Sequence, residues 1–238
     1  EISLGLVGSE MCIRDRREGG SMGDLYSRTD LRRDANGAIY MDESNNVYTQ
    51  KIDNPDSYIK LGSVLPKGNL AWRNNFMWKN FHVGFMISAR LGGVVFSRTQ
   101  AILDKFGVSE ASADARDNGF VLINGNDRVN PENWYTTVGS TAVPQYYTYS
   151  ATNVRLQEAS IGYTIPRKWL ANVCDIKVSL IGRNLWMIYN KAPFDPEAVA
   201  STDNFYQGID NFMMPSLRNV GFSLNFNCLL YTSDAADE

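Results

Sequence analysis

The stretch that decides the fold is FHVGFMISARL, residues 81–91. Phe81, Val83, Phe85, Ile87, Ala89 and Leu91 alternate with His82, Gly84, Met86, Ser88, Arg90 and Gly92. A period of two sends the apolar set to one face of a β-strand and the polar set to the other. The run is also long for a globular strand, whose usual length is about 5–6 residues.

The same rhythm extends outward. Upstream, Leu70, Trp72, Phe76 and Trp78 share one parity, and Ala71, Arg73, Asn75 and Met77 the other, with Lys79-Asn80 as a tight turn between the two strands. Downstream, Gly92-Gly93 reads as a bulge. A third strand is NVRLQEASIGYTI (153–165), where Ala159, Ile161 and Tyr163 share a face. Val154 and Leu156 fall on the wrong parity, which one extra residue would repair. A turn begins at Pro166-Arg167-Lys168. In DIKVSLIGRNLWMIY (175–189), Ile176, Val178, Leu180, Trp186 and Ile188 oppose Lys177, Ser179 and Arg183, while Ile181 and Leu185 spoil the polar face. The last strand sets Val220, Phe222, Leu224 and Phe226 against Gly221, Ser223, Asn225 and Asn227. DANGAIYMDESNNVYTQ (34–50) reads as a short hairpin with turns at Asn36-Gly37 and Asn45-Asn46. In the polar connection 99–150, TQAILDKFG fits one or two helical turns. A second polar connection covers 190–215. The fold class is therefore all-β, antiparallel, with five long strands.

Composition narrows the function. The formal charge of -3 gives no basic field for nucleic acid. No apolar run is long enough for a membrane helix, which leaves a barrel open. Three cysteines without a CxxC spacing and a single histidine, His82, offer nothing from which to build a zinc site or a histidine triad. No nucleophile–base constellation is visible, so an enzyme is disfavoured, and no catalytic, cofactor or metal residues are assigned.

Both ends differ from the rest. Residues 1–16 and 228–238 closely resemble translated sequencing-adaptor reads and are expected to be artefactual and disordered. Setting them aside leaves 21 basic and 20 acidic residues and only Cys174 of the cysteines. The natural domain is then expected at 17–227, with position 228 belonging to an outward-facing residue of the last strand.

Alternation alone also describes a soluble β-sandwich. Three features favour a barrel in lipid. Connections run short, long, short, long, which puts every tight turn at one end and every long loop at the other. Aromatics sit near strand ends, as in the girdles of membrane barrels: Trp78 and Phe81, Tyr163 and Trp169, Trp186 and Tyr189. Most of the strands also reach the about 9–11 residues that spanning needs.

The stretches EGGSMGDLY, TQAILDKFGVS, ARDNG, NWYTTVG, ATNVRLQEASIGYTIPRKWL, VSLIGRNLWMIYNKAPFDPE and GFSLNFN, in this order over nearly all of 17–227, resemble the C-terminal part of the SusC/RagA family of TonB-linked outer-membrane transporters. The resemblance implies the last strands of a large barrel, about 22-stranded with a plugged lumen, incomplete in this chain. It implies import of glycans or peptides with a SusD-like surface lipoprotein over the outer mouth. It also implies traction by the TonB complex on a plug that lies upstream, and insertion into outer-membrane lipid by the barrel-assembly machinery. In such barrels that machinery reads the terminal strand, here matched by Phe222, Leu224 and Phe226, with Cys228 in the place of the expected final aromatic. A plain porin-type barrel and a soluble carbohydrate-binding β-sandwich are the alternatives. The porin would lack the ordered motifs, and the sandwich would need no detergent.

Arg73, Arg90, Lys177 and Arg183 are expected to face the lumen, because charge facing lipid costs about 2–4 kcal/mol at the midplane. They would pair with the plug or be hydrated. His82 reads as a wall residue near the short-turn end. Trp134, Tyr135, Tyr146, Tyr147 and Tyr149 lie in or beside the longest loop. Contact with ligand, contact with the lipoprotein, and internal packing all remain open for them, with packing favoured. Phe194-Asp195-Pro196-Glu197 reads as a structural turn, with Phe194 and Asp195 kept as candidate contacts.

Overall fold

The computed structural model describes residues 13–14, 17–139, 143–169, 174–200 and 207–228. The chain divides into two compact units. One comprises Glu1–Gly68, Leu91–Thr152 and Lys191–Pro215, the other Asn69–Arg90, Asn153–Asn190 and Ser216–Glu238.

The second unit is the five-stranded sheet. Its strands are β1 (Gly68–Trp78), β2 (Phe81–Leu91), β3 (Asn153–Ile165), β4 (Cys174–Asn190) and β5 (Asn219–Cys228). They lie side by side in chain order, and β2 to β5 pair antiparallel. Tight turns follow at 79–80 and 166–169, and Lys79 takes φ 52° to make the first of them. Connections 92–152 and 191–218 leave from the opposite ends of the strands, as the alternation of short and long loops predicts.

Register carries each apolar row across the sheet. Phe81 stands beside Tyr163, and Tyr163 beside Val178; Val83 stands beside Ile161, Leu180 and Phe222 in sequence. The phase slip of β3 has the expected cause. Leu156 pairs with Ile87 and Glu158 with Met86, so Gln157 is the extra residue. Val154 and Leu156 thereby rejoin the apolar face opposite Ala89 and Ile87. The bulge is matched in β4, where Asn184 takes φ 52°. That turn changes the place of Leu185. It lies over Gly182, its Cδ2 only 2.7 Å from where a Cβ would stand, and so joins the apolar face rather than spoiling the polar one. Ile181 does stay on the polar face, opposite Ser160 and Gly221. Gly92 and Gly93, at φ 75° and 87°, form the exit from β2 rather than a bulge within it.

The first unit has no long strand. Asp24–Ser27 pairs with Ile59–Ser63, and Thr29–Leu31 with Thr49–Lys51. Val94–Ser97 lies between Thr148–Ser150 and Ile209–Asp210. The hairpin region is two successive turns. Asp34 Oδ1 accepts from the backbone of Asn36 and Ala38, and Asp42 Oδ1 from Ser44 and Asn46. Three helices occupy the long connection: α1 (Arg98–Lys105), α2 (Glu110–Asn118) and α3 (Pro131–Val138). The first covers the expected helical turns; the other two exceed them. Their ends are nevertheless chemically marked. Ser97, Ser109 and Asn130 each accept a first-turn N–H, Gly119 closes α2 at φ 78°, and Pro131 opens α3.

Burial separates the units sharply. Every buried apolar side chain among the described residues belongs to the first unit, centred on Leu31, Phe96, Ala101, Val138, Val143 and Tyr147. The sheet's apolar face is uncovered: Trp72 is 60%, Leu180 53% and Phe222 78% exposed. Within its own unit this sheet has no second layer among the described residues, and a sandwich requires one.

Of the two ends set aside on sequence, Ile13–Arg14 pairs with Leu25 and Tyr26, and β5 continues in register to Cys228 opposite Cys174. The remainder of both ends lies outside the described residues.

Candidate functional site

Two constellations hold the residues singled out on sequence. The first is on the polar face of the sheet. Glu158, in phase with Ser160 and Gly162 on that face, receives Arg73 from β1 at 3.1 Å and Arg183 from β4 at 3.5 Å. One carboxylate thus ties strands on both sides of β3. Arg90 stands one row group further toward the long loops, in register with Asn153, and Lys177 toward the short turns, between Thr164 and Asn225. Beside it His82 Nε2 shares a hydrogen bond of 2.8 Å with Thr164 Oγ1. The sequence reading missed Glu158. Its parity, opposite to that of Ala159, Ile161 and Tyr163, puts it on the polar face, but its partners lie on two other strands.

Aromatic rows mark both ends of the opposite face. Near the short turns, Trp78 stacks on Phe81 at 6.5 Å and Phe81 meets Tyr163 at 4.9 Å. Near the long loops lie Trp186 and Tyr189, 61% and 42% exposed. The partners of Tyr163 and Val154 on the unbulged β2 are Phe81 and Ala89, a span of roughly 26 Å of strand at ~3.3 Å per residue, or about 20 Å along a membrane normal at a ~40° tilt, and Val154 is also the partner of Tyr189. Phe222, Leu224 and Phe226 of β5 continue this face opposite Leu180, Val178 and Ile176.

The second constellation is the loop aromatics. Tyr147 is 3% exposed and donates to Asp104 Oδ2 at 2.9 Å, while Gln100 Nε2 donates to Asp104 Oδ1 at 2.9 Å. Burial, then the Asp104 charge, pushes the Tyr147 phenol well above its ordinary value. Trp134 packs against both apolar clusters of the unit and meets Tyr146 edge-on at 5.6 Å. The Tyr135 hydroxyl donates to Ala111 O at 3.0 Å. Tyr149 meets Phe194 edge-on at 5.6 Å. Asp195 Oδ1 accepts from Glu197 N at 3.1 Å across the buried Pro196, an Asx turn. The structure therefore brings Trp134 and Tyr146 together, and Tyr149 with Phe194, and holds Tyr147 inside the core.

Elsewhere in this unit Asp24 is 1% exposed. Burial opposes its charge, but the Lys60 ammonium at 2.6 Å and the Ser21 N–H outweigh it and hold the carboxyl below its usual range. No group of three or more potential metal ligands occurs among the described residues.

No family model matches the chain. The TonB-dependent receptor P3 of Formosa agariphila (strain DSM 15362 / KCTC 12365 / LMG 23005 / KMM 3901 / M-2Alg 35-1) is 26% identical over 204 residues, 81% of this chain and 19% of that protein. Among solved structures, the RagAB peptide importer in its "open-open" state matches with a TM-score of 0.54 at 13% identity, over 86% of this chain and 22% of that one. A further RagAB peptide transporter structure matches with a TM-score of 0.49 at 14% identity, over 85% of this chain and 23% of that one. The chain spans about a fifth of the length of the proteins it matches. By fold the sheet is an incomplete, antiparallel section of a large transmembrane β-barrel. The resemblance to SusC/RagA-type TonB-dependent transporters carried by the sequence motifs is the one these comparisons support.

Proposed function

We propose that this chain is a wall-and-loop section of a TonB-dependent importer of the SusC/RagA type, seated in a Gram-negative outer membrane, with residues 17–227 as its natural part. The observation that carries this reading is the uncovered apolar face. It is continuous over five strands, bounded at both ends by aromatic rows, and backed by a polar face holding the Arg73–Glu158–Arg183 cluster. Such a face loses free energy in water and none in hydrocarbon, and rings such as Trp and Tyr prefer the headgroup level. On this reading Arg73, Arg90, Lys177 and Arg183 face the lumen. Phe222, Leu224 and Phe226 present the strand read by the assembly machinery. A SusD-like lipoprotein covers the mouth formed by the long loops, and a plug encoded elsewhere in the reading frame engages TonB. The protein moves nutrients rather than transforming them.

The test is to sequence outward from 17–227, express the complete reading frame in a Gram-negative host, and fractionate the membranes. The product should sit in the outer membrane and shift on gels when heated. Leu180→Arg, on the apolar face, should abolish the shift, because an arginine at mid-membrane costs about 2–4 kcal/mol. Ser223→Arg, on the polar face, should keep it. A product recovered in the soluble fraction after carbonate washing would end this reading.

A further inference from the structure

On the first unit, α2, α3 and the strand Asp127–Val129 border a cleft of about 640 Å³ lined by Arg116, Phe120, Arg128 and Glu132. A second recess of about 370 Å³ shares Arg116 and Glu132 with it and is walled by Phe106 and Tyr135. Both guanidiniums are fixed by something other than a carboxylate. Arg116 Nη1 donates to Gly107 O at 2.6 Å. Gly107 has φ 68°, and a Cβ there would stand 2.5 Å from the same nitrogen, so the arginine reaches its acceptor only past a glycine. Arg128 sits over the Phe120 ring, 4.4 Å from its centroid. Among the described residues neither arginine forms an ion pair, and neither does Glu132.

A guanidinium is a fork of N–H donors matched to a carboxylate, and a fork already held in place loses less freedom on binding. The adjoining recess adds rings to the charged rim. Phe106 is 71% exposed with Lys105 Nζ 6.0 Å from its ring centroid, and the Tyr135 hydroxyl is already satisfied by Ala111 O, so both residues offer their rings. Carboxylate recognition beside an aromatic recess matches alternating acidic and apolar side chains. Glu132, common to both parts, disfavours a second carboxylate in the recess and leaves that place to an apolar side chain.

We propose that this two-part cleft binds a short acidic peptide, with a carboxylate on Arg116 and Arg128 and an apolar side chain against Phe106 and Tyr135. The proposal rests on reading the chain as part of an importer and names a class of ligand for it. The probes are dye-labelled Glu-Leu-Glu-Leu and its isostere Gln-Leu-Gln-Leu, followed by fluorescence anisotropy on the full chain in detergent micelles. The acidic peptide should bind about ten-fold more tightly, the worth of one charge-assisted hydrogen bond. Arg116→Gln and Arg128→Gln should each erase most of that difference, and Phe106→Ser should weaken both peptides alike. Equal affinity for the two peptides on the unaltered chain, or no binding of either, overturns the proposal without any variant having to fold. Trigalacturonate that competes as well as the acidic peptide overturns it in favour of an acidic sugar. If the complete receptor enters the outer membrane while the two peptides bind equally, the cleft assignment falls and the importer reading stands.

Discussion

The sequence leaves Tyr147 open to ligand contact, lipoprotein contact or internal packing, with packing favoured, and its hydroxyl lies inside the loop unit, 2.9 Å from Asp104 Oδ2. Asp104 is itself 6% exposed and has Gln100 as its other donor. Tyr147→Phe removes a hydrogen bond to a buried charged group, a change worth about 1.5–3 kcal/mol. The loop unit should lose about that much stability in denaturant titrations followed by Trp134 fluorescence. The pH dependence has a definite sign. The folded phenol ionises above its ordinary value of about 10. Its contribution is therefore whole below that pH and is lost as the pH rises through the higher folded value. The wild type should weaken in that alkaline window more than Tyr147→Phe does. Gly139 sets a second residue-scale limit. Its φ of -74° is ordinary, but a Cβ would lie 2.5 Å from Tyr135 O, 2.7 Å from Lys105 N and 2.8 Å from Ala101 O. All three are backbone atoms of α1 and α3 or their ends, so the helices must part. Gly139→Ala should cost about 1–3 kcal/mol, the range for overpacking. Gly119→Ala meets no atoms within 4 Å and carries only the penalty of φ 78°. A larger loss at Gly119 than at Gly139 would contradict this account.

Among the elements, one residue decides which way the first four residues of β3 face. Gln157 has no partner in the register with β2, and its insertion lets Val154 and Leu156 share the apolar face with Ala159 and Ile161. Deleting Gln157 should turn residues 153–156 over, because a strand's side chains alternate with period two. Arg155 would then point to lipid at a cost of about 2–4 kcal/mol near the midplane and less toward the interface. A cysteine placed at Leu156 should react with a water-soluble maleimide in the deletion variant and not in the parent. Reaction in both would mean that the bulge does not set the face. The phase slip was legible in the sequence as a conflict between Leu156 and Ala159, though the matching bulge at Asn184 was not. Its consequence, Leu185 laid over Gly182, depends on a positive φ that no hydrophobic pattern reports. The long strands themselves were legible because each has one greasy face. Helices α2 and α3 were not, since their buried positions are small or few: Ser112 and Ala115 in one, Val138 in the other. Caps at Ser109 and Asn130 were the signals available. Glu158 stayed hidden because its two arginine partners lie on separate strands that only the folded register brings together, and for Tyr147 packing and binding could not be separated, because an aromatic in a loop looks alike in both.

The whole molecule combines a unit with a core and a unit without one. Leu31, Val47, Val64, Val95, Phe96 and Val143 are almost wholly buried, and all lie in the first unit. In the sheet, side chains as large as Trp72, Trp186 and Phe222 are 60%, 61% and 78% exposed. Apolar burial is the main favourable term in folding, at about 25 cal/mol per Å², so the two units must draw their stability from different surroundings. The first has its own interior. The second needs an apolar solvent, and its edge strands β1 and β5 leave backbone groups open to further pairing. Hydrogen exchange resolves the two. In buffer without amphiphile, amides of α1, α3 and Val94–Ser97 should stay protected, while those of β2, β3 and β4 exchange quickly or are lost to aggregation. Detergent micelles should restore protection to the sheet and leave the first unit unchanged. Equal protection of β2 to β4 in plain buffer, in a chain shown to be monomeric, would mean that protein covers the apolar face. The sheet would then be half of a water-soluble sandwich, and the membrane reading would fail at its main support.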